Sequence, residues 1–240
     1  MNLAQTLYPD KDAKLIYMSD YSSERFTIYK NNKHTWLLVA DVVQSAIENT
    51  LPYRPIVPYC FVMLLPILHH KIPDTILELG GGGLSIQRYL SYAYPSINIT
   101  SIDESANILN AVNKFFPPIN NPSVIQQDAF NFIYSAQKNE MKFDWILSDL
   151  FDGEQAPILA KRQALYEQIF EIINPDGWLI INCLTDSDEE IEQLGEYLKH
   201  LFNNKYYVFS VPNVMNKIVM INKIKDFDFP QHIQSQNRAK

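Results

Sequence analysis

The stretch TILELGGGGLSIQRYL, Thr75 to Leu90, joins an apolar run to an amphipathic segment through four consecutive glycines. The apolar run predicts a buried β-strand, and the spacing of the later apolar residues predicts a helix. Gly80, Gly81, Gly82 and Gly83 are four of only seven glycines in the chain. A tight turn alone needs one or two glycines, whereas a glycine-rich turn lets the backbone approach a bulky ligand in front of a helix N-terminus. The stretch therefore predicts a ligand site at the carboxyl edge of a parallel sheet.

The remainder of the chain repeats this strand-then-helix alternation. Short apolar runs are separated by amphipathic segments of helical length, and the runs lie at 75–79, 97–102, 123–126, 143–148 and 178–182. Such alternation predicts a parallel sheet with helices on both faces. The final runs, KYYVFSV and NKIVMINK, are joined through Pro212-Asn213, which indicates an antiparallel hairpin. We therefore predict an α/β protein with a class I methyltransferase-like Rossmann fold, whose mostly parallel seven-stranded sheet ends in an antiparallel hairpin.

The first fifty residues follow a different pattern. The segments AKLIYMS and RFTIYKNNKHTWLLVA are strand-like, and Asn31-Asn32 can form a tight hairpin turn between strands. We predict three segments: a small N-terminal β-hairpin domain over 1–52, a Rossmann-like ligand-binding domain over 53–228, and a frayed C-terminal tail over 229–240.

Composition narrows the classes of partner. The net charge is −7 and the sequence has no Lys/Arg cluster, which argues against a nucleic-acid partner and favours a small molecule. No apolar run reaches membrane-spanning length and the N-terminus lacks a signal pattern, so we expect a cytoplasmic protein without a membrane partner. Cys60 and Cys183 lack metal-ligand spacing, and we predict buried thiols and no metal site.

Acidic residues accompany the predicted strand ends. Glu78 precedes Gly80 and Gly82 at alternate positions, and Ser85 stands where a nicotinamide fingerprint has its third glycine, so the spacing favours an adenosylmethionine-type ligand. Asp103 ends the second predicted parallel strand, from which a carboxylate can accept hydrogen bonds from both ribose hydroxyls. The alternative role of Asp103 is to cap the next helix.

Two further strand ends carry carboxylates. Asp128 can accept from an adenine amino group while Ala129 offers its backbone N–H to the ring edge, although Asp128 is equally suited to cap a helix. Asp149 and Asp152 follow the fourth parallel strand, where one can take a proton from an amine and the other can hold a cationic group. The alternative for this pair is a solvated acidic loop.

The chain resembles the spermidine synthase (polyamine aminopropyltransferase) family, particularly its divergent bacterial members, in the segments LGGGG, DAF, DLFDG and LYEQIFEIINPDGWLIIN. The resemblance implies that Asp149 is the base that accepts a proton from the attacking amine and that Asp152 orients this amine. It also implies that Asp128 holds adenine, and that Gln44 and Tyr59 line a pocket to which the N-terminal sheet contributes. A homodimer is a further implication of the resemblance.

The sequence departs from this family at several positions. Gly83 stands where the family has an Asp that binds the aminopropyl ammonium, Ser101 replaces a Glu, and Cys60-Phe61 replaces a His-Glu pair. The leading prediction is aminopropyl transfer to an amine, with decarboxylated adenosylmethionine as co-substrate and no tightly bound cofactor. Methyl transfer from S-adenosylmethionine is the second candidate, because Gly83 removes a repulsion against the methionine carboxylate. The third is a nucleoside-binding or dimerising protein without catalysis.

Overall fold

The computed structural model describes residues 11–19, 25–39, 42–150, 158–224 and 227–234. Within these ranges the chain forms two sheets, one antiparallel and one mostly parallel. No helix in the same ranges has the length and apolarity needed to cross a lipid bilayer.

The N-terminal sheet is antiparallel and its four strands follow chain order: β1 (Lys14–Met18), β2 (Phe26–Lys30), β3 (His34–Val39) and β4 (Val42–Glu48). The turn between β2 and β3 is held by the Asn31 side chain, whose Oδ1 accepts from the N–H groups of Lys33 at 2.8 Å and His34 at 2.6 Å. A side-chain-stabilised turn therefore replaces the positive-φ hairpin turn that we considered for Asn31-Asn32. The sequence pattern did not separate β4 from β3, although β4 is the strand that carries Gln44 and Ser45.

Two short helices connect the sheets, α1 (Pro58–Met63) and α2 (Pro66–His69). Each has proline at its first position. An N–H group there would have no acceptor within the helix, so its absence costs no hydrogen bond, and the fixed φ of proline suits a helix. Pro66 cannot continue the hydrogen-bond ladder of α1, so the apolar stretch is divided at this residue.

The second sheet has seven strands in the order β10-β11-β9-β8-β5-β6-β7. Its elements along the chain are β5 (Thr75–Leu79), α3 (Ser85–Ala93), β6 (Asn98–Asp103), α4 (Ala106–Phe115), β7 (Val124–Gln126), α5 (Ala129–Lys138), β8 (Phe143–Ser148), α6 (Ile158–Ile172), β9 (Ile173–Leu184), α7 (Asp188–Phe202), β10 (Tyr206–Ser210), β11 (Asn216–Asn222) and α8 (Gln231–Gln234). Strands β5 to β9 pair in parallel, while β11 pairs antiparallel with both β9 and β10. The predicted fold class is confirmed.

The strand order reverses at β5, which lies between β6 and β8. At such a point the connections on the two sides leave in opposite directions, and a crevice forms beyond the carboxyl ends of the strands. The glycine run follows β5 and therefore opens into this crevice.

The two sheets share one hydrophobic core. Trp36 from β3 belongs to the same buried cluster as Trp145 from β8 and Trp178 from β9, and each of these indoles is at most 1% exposed. Phe229, at the start of the predicted tail, is also buried in this cluster. The N-terminal sheet is therefore packed against the Rossmann-like part, and the boundaries at 52 and 228 stay predictions.

Candidate active site

The glycine run is fixed by the backbones of two neighbouring strands. The N–H groups of Gly80 and Gly81 both donate to the carbonyl oxygen of Ile102, at 2.8 and 3.1 Å. Gly80 has φ +83°, and a Cβ at this position would lie 2.2 Å from the carbonyl oxygen of Asp149. Only glycine satisfies both the conformation and the close approach. The loop is thus held between the ends of β6 and β8.

Asp103 holds the glycine run from the end of β6. Its Oδ2 accepts from the N–H of Gly82 at 2.6 Å, and its Oδ1 accepts from the N–H of Ser105 at 2.9 Å. Ser105, rather than Asp103, caps α4 by accepting from the N–H of Ile108 at 3.0 Å. The Asp103 carboxylate therefore orients the loop, and its role toward a ribose stays a prediction.

Asp128 lies at the start of α5. Its Oδ1 accepts from the N–H of Asn131 at 2.9 Å, which is the helix cap that the sequence offered as the alternative to adenine binding. Ala129 is the first residue of α5 and is buried. Both residues face the same cavity as Asp103, so the capping contact and the predicted contact with adenine are compatible.

A cavity of about 240 Å³ lies beyond the ends of β5, β6, β7 and β8 and is closed on one side by the N-terminal sheet. Its walls combine apolar side chains with carboxylates and backbone, and they consist of Leu37, Val39, Gln44, Gly80, Gly82, Ile102, Asp103, Glu104, Ser105, Ile108, Gln127, Asp128, Ala129, Phe130, Asp149 and Leu150. We call this space the large cavity.

A smaller cavity of about 40 Å³ lies between β4, α1 and the glycine run. It is lined by Gln44, Tyr59, Cys60, Glu78, Gly80, Gly81, Gly82, Gly83, Ser85, Ile86 and Asp149. We call it the small cavity. Asp149 is the only carboxylate, among the residues that the structure describes, that lines both cavities.

Asp149 is partly buried and is held by a chain of amide hydrogen bonds. Asn182 on β9 donates to its Oδ1 at 2.7 Å, and Asn216 on β11 donates to the Asn182 side-chain oxygen at 2.9 Å. The Tyr59 hydroxyl also interacts with the Asp149 carboxylate and lies 3.4 Å from the Gln44 carbonyl oxygen. Burial raises the pKa of Asp149, although the hydrogen bonds from Asn182 and Tyr59 oppose this increase.

Glu78 lies behind the glycine run and is 3% exposed. Burial raises its pKa to about 8, against which the hydrogen bond donated by the Ser101 hydroxyl to Glu78 Oε2 acts. The nearby charges of Asp149 and Asp103 increase the pKa further. The surroundings of Glu78 therefore favour its neutral form, and Ser101 supplies its hydrogen-bonding partner on the neighbouring strand.

Gly83 packs directly against the N-terminal sheet. A Cβ at this position would lie 2.0 Å from Cβ of Ser45, so no side chain fits there without a shift of β4. The Ser45 hydroxyl is 2.8 Å from the Ser85 hydroxyl, which lines the small cavity. The end of the glycine run therefore presents to the small cavity the hydroxyl of Ser85, which is hydrogen-bonded to buried Ser45, rather than a carboxylate.

The structure brings together all the predicted site residues that it describes. Asp152 lies outside the described residues. Asn182 and Arg162 also belong to this site but were not predicted from the sequence. Each is a polar residue among apolar residues of a buried strand or helix face, and this contrast is a recognisable signal. The Arg162 guanidinium donates to the carbonyl oxygen of Leu150, and its charge partly opposes the increase that burial causes in the pKa of Asp149.

Comparison with known proteins identifies the family. Residues 60–231 match the family described as the spermine/spermidine synthase domain, and this match covers most of the chain. The chain belongs to this family. Its predicted resemblance is therefore confirmed.

Individual relatives of the family are distant in sequence. A polyamine aminopropyltransferase of Vibrio vulnificus is 26% identical over 184 residues, which cover 76% of this chain and 61% of that protein. The probable spermidine synthase of Corynebacterium glutamicum has a similar structure with a TM-score of 0.72 and 17% identity, over 90% of this chain and 82% of that one. Human methyltransferase-like protein 13, in complex with SAH, has a TM-score of 0.59 and 20% identity, over 74% and 85% of the two chains. These structural similarities establish a fold shared with spermidine synthases and methyltransferases.

Proposed function

We propose that the chain is a transferase that moves an aminopropyl group from decarboxylated adenosylmethionine to an amine. The observation that carries this proposal is the position of Asp149, which lines both cavities and has a raised pKa. A carboxylate with a raised pKa is a better proton acceptor than an ordinary one. Membership of the spermine/spermidine synthase family gives the proposal its reaction class.

The proposed reaction is a displacement at carbon. The lone pair of the acceptor nitrogen forms a C–N bond to the aminopropyl carbon attached to the sulfonium, and the C–S electron pair returns to sulfur, which leaves as neutral methylthioadenosine. The nitrogen then loses a proton to Asp149. Asn182 donates to Oδ1 of this carboxylate at 2.7 Å and the Tyr59 hydroxyl also interacts with it, so the carboxylate is held in position for the amine. Positioning of the two reactants supplies much of the rate.

We propose that the donor occupies the large cavity, with the adenine near Asp128 and Ala129, the ribose near Asp103, and the sulfonium beside the glycine run and Asp149. All of these residues line the large cavity, which supports this arrangement. Tyr59 and Gln44 then form the wall between the donor and the acceptor. We further propose that Asp152 orients the acceptor, as family membership implies.

Gly82→Val is expected to abolish binding of adenosyl ligands while the fold persists. The nearest atoms to a Cβ at Gly82 are Asp103 Oδ2 and the Gly80 carbonyl oxygen, both at 3.9 Å, so an added Cβ has space beside the large cavity, while the φ of +45° strains any side chain at this position. Binding is measured by calorimetry with methylthioadenosine. Asn213→Val is a matched control, because Asn213 also has positive φ (65°) but lies in the β10–β11 hairpin. Unchanged affinity in Gly82→Val would place the ligand elsewhere.

Methyl transfer from S-adenosylmethionine is the second candidate function. The observation that favours it is the Ser85 hydroxyl in the small cavity at the end of the glycine run, where Gly83 offers no carboxylate. Hydroxyls and the first N–H groups of α3 can receive the methionine carboxylate of the intact donor. The carboxylate of Asp149, which also lines the small cavity, instead favours the decarboxylated donor, whose tail carries only an ammonium.

Ser85→Asp distinguishes the two donors, because Ser85 lines the small cavity and is not blocked as Gly83 is. If the donor tail lies there, the added carboxylate strengthens binding of decarboxylated adenosylmethionine and weakens binding of the intact donor, each by about tenfold. Ser85→Asn is the matched neutral control, and calorimetry with both donors provides the measurement. Equal changes for the two donors would show that the tail does not approach Ser85. Tighter binding of the intact donor by the unmodified protein would favour methyl transfer.

We also propose a homodimer that forms through the N-terminal sheet. Of the described strands, β1 is an outer strand of that sheet, and it exposes Leu15 and Met18 at 49% and 59%. An unpaired outer strand with exposed apolar side chains favours association.

For the proposed transfer reaction, we propose that the acceptor is a small amine.

A further inference from the structure

A third cavity, also of about 240 Å³, lies between the segment after β4, the carboxyl half of α3 and the loop after α4. None of its lining residues lines the large or the small cavity. Its walls are formed mainly by prolines and by two tyrosines, and Arg88 is the only charged residue among the described residues that line it. We call this space the arginine cavity.

Arg88 is a buried cation whose hydrogen-bonding capacity is only partly used. Its side chain is 5% exposed, one terminal guanidinium nitrogen donates to the Pro117 carbonyl oxygen, and Nε is buried without a hydrogen-bond partner. The Phe116 ring lies 5.9 Å from the guanidinium carbon. Within the described part of the chain no carboxylate forms an ion pair with Arg88. A buried guanidinium without a counter-ion is unfavourable, and an anion that enters the cavity would compensate it.

The walls of the arginine cavity indicate what kind of anion fits. The rings of Tyr53 and Tyr92 stack with centroids 3.6 Å apart and planes 11° apart, and Tyr92 remains 61% exposed. The hydroxyl of Tyr92 interacts with that of Tyr53 and raises the pKa of Tyr53. Ser91 and Asn120 add neutral hydrogen-bonding groups to the lining. The cavity therefore offers one cation, several neutral polar groups and apolar walls.

We propose that the arginine cavity binds a small organic carboxylate, whose oxygens accept from Arg88 and whose apolar body packs against Tyr92 and the neighbouring prolines. A free inorganic oxyanion shares the first contact but not the second. Because this cavity and the candidate active site have no lining residue in common, the proposal does not depend on the reaction assigned to Asp149.

The test compares benzoate, inorganic phosphate and benzamide by calorimetry on the full chain at matched ionic strength. Benzoate is expected to bind saturably, phosphate about tenfold more weakly because it has no apolar body, and benzamide not measurably because it lacks charge. Saturating benzoate is also expected to raise the melting temperature, since it binds only the folded protein. Absence of saturable benzoate binding, equal affinity for benzamide, or binding of phosphate alone would overturn the proposal.

Two variants locate the site. Arg88→Met keeps the apolar stem of the side chain and removes the charge, and we expect it to fold because removal of a buried charge without a counter-ion offsets the loss of the hydrogen bond to Pro117. It should weaken benzoate binding by roughly 10–100-fold, the loss expected for one or two charge-assisted hydrogen bonds.

Tyr92→Ala removes an exposed wall and should weaken benzoate by about tenfold, independently of any effect of Arg88 on folding. Tyr134→Ala is its matched control, because Tyr134 is 58% exposed on α5 and does not line the cavity. Benzoate affinity that is equal in Tyr92→Ala and in the unmodified protein would refute the site.

Discussion

Asp149→Asn is expected to lower turnover by about 10²–10⁴-fold, the usual contribution of a positioned general base. The asparagine oxygen can still accept from Asn182, so the substitution removes the proton acceptor and keeps the hydrogen bond that holds the side chain. Affinity for methylthioadenosine should therefore change little. The measurement is the initial rate of methylthioadenosine formation from decarboxylated adenosylmethionine, with a panel of small diamines as acceptors.

The pH dependence provides a second readout of the same residue. Because burial raises the pKa of Asp149, activity should increase with pH through a midpoint above the ordinary range of aspartate, as the carboxyl group loses its proton. This acidic limb should disappear in Asp149→Asn. Asp176→Asn is the matched control, since Asp176 is exposed and lines neither cavity. Equal turnover in the unmodified protein and Asp149→Asn would exclude Asp149 as the base, and absence of turnover in both would favour a binding protein without catalysis.

Glu78→Gln is expected to stabilise the protein at alkaline pH by an amount on the order of a few kcal/mol. The pKa of Glu78 is about 8 in the folded chain and 4.5 in the reference state. Between pH 4.5 and about 8, the Glu78 carboxyl group is therefore more protonated in the folded chain than in the unfolded chain. The contribution of Glu78 to stability is therefore fully present below pH 4.5, falls as the pH rises toward 8, and levels off above that value. Glutamine resembles the protonated carboxyl group and can still accept from the Ser101 hydroxyl, so this fall should be absent from the variant.

The measurement is the free energy of unfolding in urea at several pH values between 5 and 9, about the window set by the two Glu78 pKa values. Glu140→Gln is the control, because Glu140 is exposed and should leave the pH dependence unchanged. Parallel pH profiles for Glu78→Gln and the unmodified protein would show that Glu78 is ionised in the folded chain at neutral pH.

The features that the sequence predicts best are those encoded in local patterns. The glycine run after β5, the alternation of strands and helices, and the terminal hairpin at Pro212-Asn213 are each defined by neighbouring residues. Helix capping by Asp128 is also a local contact. However, an aspartate at the end of a strand can either cap the next helix or bind adenine, so its position in the sequence did not decide between these roles.

Contacts between residues distant in the sequence were not predictable in this way. Asn182 reaches Asp149 across neighbouring strands 33 residues apart, and Asn216 supports it from a third strand. The contact of Gly83 with Ser45 depends on how the N-terminal sheet packs on the glycine run, which no periodicity encodes. Burial of Glu78 also depends on tertiary packing, so its raised pKa could not be read from the acidic position before the glycines.

The contact between Ser45 and Gly83 makes these two positions interdependent in any change of the protein, whether natural or engineered. Since a Cβ at Gly83 would lie 2.0 Å from that of Ser45, a side chain at Gly83 is tolerated only after Ser45 has become glycine or β4 has shifted. The order of substitution then matters: Ser45→Gly removes the clashing side-chain atoms before Gly83→Asp is introduced, whereas the reverse order first introduces the clash. Any side chain at position 83 is thus under epistatic control by a residue of the N-terminal sheet.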